Sequence, residues 1–363
     1  MILSFYFITL SKIKNAMYKV TLGIPIYNGR NLLERSLLSA LNQTYPYIEY
    51  LFIDDKGDSM DIVHRIVAEH ERAESVRIID QGYNRGTGAA RNAIIENATG
   101  DYLFTMDCDD VITTDCIEIL CNKMQEHPVD FVAASFLRRD LAGTITPGCS
   151  YPDIIIEGGE NPVAEYRYGQ GKEIFVAIWN KLYKVDFLRQ NHVQCISYHL
   201  NEDPWFTYQV MMYARSCQLI SVCTLYYTIN PVSITGLIAT EGYSERTARQ
   251  YVEIEKLKAE LVSLYAAKSF YIGALVDIIW MGTYFAYRVL ASKQLAKDIK
   301  REFATSLLRR KFVFPEKYSI NRMFIKYLML YVFWGLPVCL KYHLLFFAVW
   351  ANLKNRIRRW VHF

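Results

Sequence analysis

Residues 18–41 read YKVTLGIPIYNGRNLLERSLLSAL, and this stretch decides the fold. Val20, Leu22, Ile24 and Ile26 alternate with Lys19, Thr21, Gly23 and Pro25, the period-two pattern of a strand, and Asn28-Gly29 ends it. Asn31 followed by Glu34 has the spacing of a capping box, and Leu33, Leu37 and Leu41 recur at helical spacing. The segment therefore reads strand, loop, helix. Working outward, the spacing predicts a strand over 48–53, a helix over 61–74, a strand over 76–79, a helix over 87–98 and a strand over 102–106. Strands alternating with helices predict an α/β fold, a parallel sheet with helices on both faces. A fifth strand is expected over 131–137. Irregular loops with Gly158-Gly159 and Gly169-Gln170-Gly171 follow, and from about 245 the pattern is helical, with apolar stretches at 271–290 and 327–351.

The chain has 363 residues, 52% hydrophobic and 21% charged, which excludes disordered and collagen-like classes. From Lys293 onward 15 Lys and Arg face 3 Asp and Glu, whereas 26 face 34 before it, so a mildly acidic body ends in a basic tail. The 8 cysteines form no CxxC pair and no His spacing for zinc, as in a reduced, cytosolic chain. MILSFYFITL at the N-terminus lacks a leading positive side chain and a small-residue cleavage site, so it makes a poor signal peptide. Met17 precedes the first strand, and residues 1–17 read as an extension or a mis-called start. The expected division is a sheet domain over 18–240 and a helical, basic and apolar region over 241–363.

In parallel sheets, ligands sit beyond the carboxyl ends of the strands. Polar clusters fall at those ends. MDCDD at 106–110 is the most informative: in an extended segment residues two apart point the same way, so Asp107 and Asp109 can address one ligand. Carboxylates so close repel unless a cation offsets them, and Mg²⁺ or Mn²⁺ suits a few carboxylates plus substrate phosphates. Cys108 reads as a spacer, because a soft thiolate is a poor partner for these ions. Without context, the run is a solvated acidic turn. Asp54 and Asp55 can supply a carboxylate for the N–H edge of a uracil or guanine, or simply form an Asx turn. Arg91, in the helix opened by NRGTGAARN at 84–92, can hold a nucleotide or pair with a carboxylate. In NEDPWF at 201–206, a carboxylate beside an aromatic wall makes a general base, while Glu202-Asp203-Pro204 alone reads as a helix start. His199 and the other histidines read as non-ligands.

Taken in order, LGIPIYNG, FIDDKGDSMD, NRGTGAARNAIIENATGDYLFTMDCDD, WNKLY, NEDPWF and YYTINPVSIT over about Lys19–Thr235 resemble a family 2 glycosyltransferase of the GT-A fold, of the bacterial surface-polysaccharide type. The resemblance implies a Rossmann-like nucleotide-sugar-binding sheet and an inverting, metal-dependent enzyme. It implies that Pro25, Tyr27, Asn28, Asp54, Arg91 and Asp107 hold the nucleotide, that Asp109 is the ligand of Mn²⁺ or Mg²⁺, and that Asp203 is the catalytic base. Trp179, Asn180, Lys181 and Glu202 fall on the acceptor side. Two positions depart from the family pattern. Asp54-Asp55-Lys56-Gly57-Asp58-Ser59 stands for DDGSTD, and Thr228 stands where an Arg often precedes the final serine, which leaves the cation beside the diphosphate unassigned.

The implied partners are a nucleotide-sugar donor, foremost a UDP-sugar, a saccharide or polyprenyl-linked acceptor and a membrane surface, with no nucleic acid. Capsule, O-antigen or exopolysaccharide assembly is the setting. A nucleotidyltransferase would carry a Gly-rich, cationic loop after the first strand, and Ile26-Tyr27-Asn28-Gly29 is not one. A non-catalytic sugar-nucleotide binding protein would have no use for Asp107, Asp109 and Asp203 together. A processive synthase would need several spans and a QxxRW-like motif. Of the tail, 327–351 is long enough to span, but a spanning helix needs about 20 apolar residues and Pro337, Lys341 and His343 interrupt this one. Basic flanks at 309–326 and 354–359 favour a peripheral seat on the inner face of the cell membrane; the alternative is a buried helical subdomain.

Overall fold

The computed structural model describes residues 17–197, 202–309 and 322–350. The N-terminal stretch, His199, Asn201 and the basic residues at 310–317 and 354–359 lie outside the described residues. Contacts divide the chain into two compact units. The first comprises the described part of Met1–Val163 with Phe175–Ile229, and the second Ala164–Ile174 with the described part of Asn230–Phe363.

The first unit is built on a sheet of 10 strands among the described residues. In chain order, β1 (Val20–Ile26), α1 (Arg30–Leu41), β2 (Ile48–Asp54), α2 (Met60–Glu69), β3 (Val76–Asp80), α3 (Thr87–Asn97) and β4 (Tyr102–Thr105) form the alternation the sequence predicts. Then come β5 (Val111–Ile112), α4 (Cys116–Glu126), β6 (Phe131–Asp140), β7 (Ile145–Cys149), β8 (Ile154–Glu157), β9 (Lys181–Lys184), α5 (Val185–Gln190), α6 (Asp203–Tyr213) and β10 (Ser216–Ile229). The main order is β3-β2-β1-β4-β9-β6-β10-β5. The first four strands are parallel. Beyond them the wholly parallel expectation fails, because β9 inserts antiparallel between β4 and β6.

All of β1 and β2 is buried. Val20, Leu22, Ile24 and Ile26 join a core with Leu33 and Leu37 of α1, Val63 of α2 and Ile117 and Leu120 of α4. The small residues between them do not face water. They make room for α3, since a Cβ on Gly23 would stand 2.3 Å from Ile94 Cγ2. The alternation in the sequence thus records large residues on one covered face and small ones on the other.

Two local expectations give way. The N-cap of α1 is Gly29 at φ 88, without a side-chain cap bond, so the capping box at Asn31 does not form. Glu34 instead accepts from Arg65 at 2.7 Å. The helix expected over 61–74 ends at Glu69, and Ala73–Ser75 is a separate 3₁₀ turn.

The second unit is helical: α7 (Ile234–Glu241), α8 (Glu245–Ser263), α9 (Tyr271–Ala291), α10 (Lys297–Leu308), α11 (Arg322–Gly335) and α12 (Val338–Trp350). Ser233 and Ser244 cap α7 and α8 through their hydroxyls. α9 is long and apolar enough to cross a membrane, yet 61% of its most apolar window is buried within the protein. Gly273 lets it approach the Tyr168 carbonyl, which a Cβ would meet at 1.9 Å. α11 and α12 meet at a 104° bend, where Pro337 cannot continue a helix. Lys341, which interrupts this apolar stretch in the sequence, is buried and donates to the carbonyls of Leu308 and Trp334 at 2.7 and 2.9 Å. It satisfies two C-terminal helix turns.

Candidate active site

The ends of β1, β2, β4 and β10 and the first turns of α3 and α6 contribute the polar and charged residues. β4 stops at Thr105, and Asp110 N donates to the Asp107 carbonyl at 3.2 Å, so 107–110 is a turn and not an extended segment. The period-two argument for Asp107 and Asp109 therefore fails, but the turn does better. It gathers Asp107, Asp109 and Asp110, each with a carboxylate oxygen within 4.8 Å of the others. Asp110 is fully buried; its Oδ1 accepts from Thr228 N at 2.8 Å, while Oδ2 has no partner. Burial, then the charge on Asp107, pushes Asp109 up to about 7. Asp110 is driven well above the usual carboxylate range by burial and by both neighbours. Three hard oxygen donors, mutually repelling and with one buried oxygen unsatisfied, fit a divalent ion such as Mg²⁺ or Mn²⁺. Cys108 is no ligand: burial pushes its thiol up to about 12.

Arg91 is the hub. The guanidinium is 2% exposed; Nη1 donates to Thr105 Oγ1 at 2.9 Å, Nη2 to Asp107 Oδ1 at 2.6 Å and Nε to Glu202 Oε1 at 2.8 Å. Asp203 Oδ1 lies 3.9 Å from Nη2. Burial works against the arginine's charge, but Asp107, Glu202 and Asp203 more than offset it. Of the two readings of Arg91 in the sequence, the geometry shows the pairing with carboxylates, each of its three nitrogens making one bond.

Asp203 opens α6 with Pro204 in the first turn, so the helix-start reading is right, and it coexists with the site. Its Oδ1 accepts from Ile178 N at 3.2 Å, and its side chain keeps 29% exposure, against 5% for Glu202. Burial raises both carboxyls, Glu202 to about 8, with Arg91 opposing in each case. Of the two, Asp203 is the one a ligand can reach.

Tyr27 and Asn28 are exposed beyond β1. Pro25 is buried in β1, past the end of the pairing with β4, where no amide donor is needed. Asp54 Oδ1 accepts from Lys56 N at 2.8 Å, an Asx turn, and Lys56 Nζ reaches Asp54 at 3.2 Å and Asp80 at 2.6 Å. Lys56 has φ 61, a left-handed conformation that suits glycine. The departure from DDGSTD thus puts a lysine in a glycine's backbone position, with two ion pairs beside it. Asp55 pins the next loop, accepting from Arg85 N, Gly86 N and Gln81 Nε2 at 2.6, 3.0 and 2.8 Å.

The residues expected on the acceptor side are all buried. Asn180 is buried, donates to Ala134 O and Ser135 O at 2.9 and 3.0 Å and accepts from Thr224 at 2.7 Å. Lys181 Nζ is buried on the carbonyls of Phe175 and Ala177, and Trp179 stacks on Tyr227 at 5.5 Å. Glu202 is held on Arg91, so each of the four has its partner within the protein.

Residues 21–199 match the family model described as glycosyl transferase family 2. The chain carries a family 2 glycosyltransferase domain. An uncharacterized glycosyltransferase of Haemophilus influenzae is 33% identical over 126 residues, 34% of this chain and 49% of that protein. The glycosyltransferase GlyA of Streptococcus pneumoniae is 26% identical over 60% of this chain and 31% of its own length. A poly(ribitol-phosphate) beta-glucosyltransferase of Bacillus spizizenii is 27% identical over 58% of this chain and 32% of its own. This chain thus spans from a third to a half of these relatives. Among solved structures, S. aureus TarS 1–349 in complex with UDP-GlcNAc superposes with a TM-score of 0.55 at 15% identity, over 93% of this chain and 92% of that one. The family 2 domain therefore has the GT-A architecture that its motifs imply.

Proposed function

We propose that this protein is an inverting glycosyltransferase that moves a sugar from a nucleoside-diphosphate sugar, foremost a UDP-sugar, to a saccharide or polyprenyl-linked acceptor. One observation carries this reading. Arg91 touches Asp107 at 2.6 Å and stands 3.9 Å from Asp203, so donor-side carboxylates and a candidate base share one guanidinium. A protein that only bound nucleotide sugars would have no need of the second.

In this reading Asp203 takes the proton from the acceptor hydroxyl as that oxygen attacks the anomeric carbon. Its raised pKa makes it a stronger base, and the Ile178 amide and Arg91 fix its orientation. Arg91 also holds Asp107 and Glu202 in place. Asp109 and Asp110, with Asp107 beside them, would hold the Mn²⁺ or Mg²⁺, which when bound offsets the charge of the departing diphosphate. A single displacement needs no enzyme nucleophile, and Asp203, part-exposed and with a raised pKa, stands outside the acidic turn that would hold the metal.

The name of the Bacillus spizizenii relative supports a surface-polymer setting. The second unit supports a seat on the cytoplasmic face of the membrane: Ile325, Leu328 and Val332 form one exposed apolar stripe on α11, and Leu344 and Phe346 are exposed on α12, within the basic tail. The test of the activity is release of nucleoside diphosphate from a panel of nucleotide sugars with Mn²⁺, with and without saccharide acceptors. Slow, metal-dependent release from at least one sugar is expected. No release across the panel refutes the reading.

A further inference from the structure

Arg35 and Arg139 flank Thr228, the position where the resemblance leaves a cation unassigned. Arg35 reaches over from α1, donating from Nη2 to Thr228 Oγ1 at 3.1 Å, and its Nε is buried without a partner. Arg139 is the register partner of Thr228 across β6 and β10, so both side chains leave the same face of the sheet. Arg138 leaves the other face and donates to the Pro147 carbonyl at 2.8 Å. The guanidinium of Arg139 passes Gly143, whose Cβ would lie 3.8 Å from Nη2.

Among the described residues neither Arg35 nor Arg139 has a carboxylate partner of its own. Burial and the like charge of Arg139 both disfavour the charge on Arg35, while Asp110 and Asp109 favour it. Two cations held near each other, one with an unsatisfied buried donor, are costly unless an anion sits between them. Thr228 also ties them to the acidic turn, for its N–H binds Asp110 and its hydroxyl donates to the Asp109 carbonyl at 2.6 Å.

We propose that Arg35 and Arg139 are the protein cations that bind the diphosphate of the donor, supplying the charge that Thr228 cannot. This rests on the transferase reading and adds to it two binding residues from α1 and β6. The acidic turn and the arginine pair then approach the leaving group from two sides, and Thr228 fixes the spacing between them.

Calorimetry of the full chain with Mn²⁺ tests this, using UDP, GDP and the matching nucleosides as probes. Arg35→Gln and Arg139→Gln should each weaken the diphosphate by roughly 10- to 100-fold, the loss of a bond to a charged group, and leave the nucleoside unchanged. Arg35→Lys should recover most of the loss. Affinity for Mn²⁺ alone, read by electron paramagnetic resonance, should not move in either variant. If the unaltered chain binds UDP or GDP and both glutamine variants bind it as tightly, the inference falls and the transferase reading stands. If Arg35→Gln loses Mn²⁺ as well while Arg139→Gln is unaffected, Arg35 only braces the turn, and the inference also falls. If the unaltered chain binds neither diphosphate, the donor reading falls and takes the inference with it.

Discussion

Arg91→Met should be the most damaging conservative change in the first unit, and the cost should grow with pH. The substitution keeps the volume but removes a guanidinium that is 2% exposed and paired with Glu202 and Asp107. Breaking a buried ion pair by removing one partner costs about 3–5 kcal/mol, because the other charge stays behind. For a domain of this size that is a fall in Tm of roughly 6–20 °C. Glu202 is the charge most exposed to the loss, being buried and already raised to about 8 with Arg91 in place. Without Arg91 its folded pKa rises further. A carboxyl whose folded pKa is above its unfolded value loses stability as pH rises between the two; the unaltered chain and the variant share that loss up to about pH 8, so the extra deficit from Glu202 should be absent near pH 5.5 and open above pH 8. Glu202→Gln in the Arg91→Met background should return part of the loss, by removing the orphaned charge. Thermal melts of the unaltered chain, the two single variants and the double variant from pH 5.5 to about 9.5 measure each quantity. A deficit below about 1 kcal/mol, a larger deficit at low pH, or no recovery in the double variant would refute the hub assignment.

Asp203→Asn keeps the shape and removes the base, so turnover should fall by roughly 10² to 10⁴ while donor affinity changes little; near-normal turnover rules Asp203 out. Because Asp109 titrates at about 7, a metal ion must displace a proton below that pH. Mn²⁺ affinity should rise with pH by up to tenfold per unit for each proton displaced, and a flat profile from pH 5.5 to 8 contradicts the site. Gly23→Ala should cost about 1–3 kcal/mol by forcing Ile94 and α3 off the sheet, and an unchanged melt would contradict that packing. The full chain should pellet with anionic vesicles at low salt and be partly released at high salt, whereas indifference to vesicles leaves the second unit as a soluble helical subdomain.

The alternation of strands and helices up to Thr105 is legible in the residues, because period two and period 3.6 are local properties of the backbone. The acidic run and the helix start at Asp203 are legible for the same reason. What the pattern cannot carry is the partner across space. β9 is a four-residue strand whose place between β4 and β6 depends on residues some 80 and 50 positions earlier in the chain. The WNKLY segment carries no sign in the sequence of how deeply it is buried, and only tertiary packing gives Asn180 and Lys181 their backbone partners. MDCDD names its carboxylates, but a turn and not a strand brings Asp110 to the other two, since the geometry after Thr105 is set by bonds to Thr228 and Ser36. Arg35 shows the limit most plainly. It is one more cation on a helix surface until the fold carries it to Thr228, 193 residues away, where its charge has a neighbour and a use.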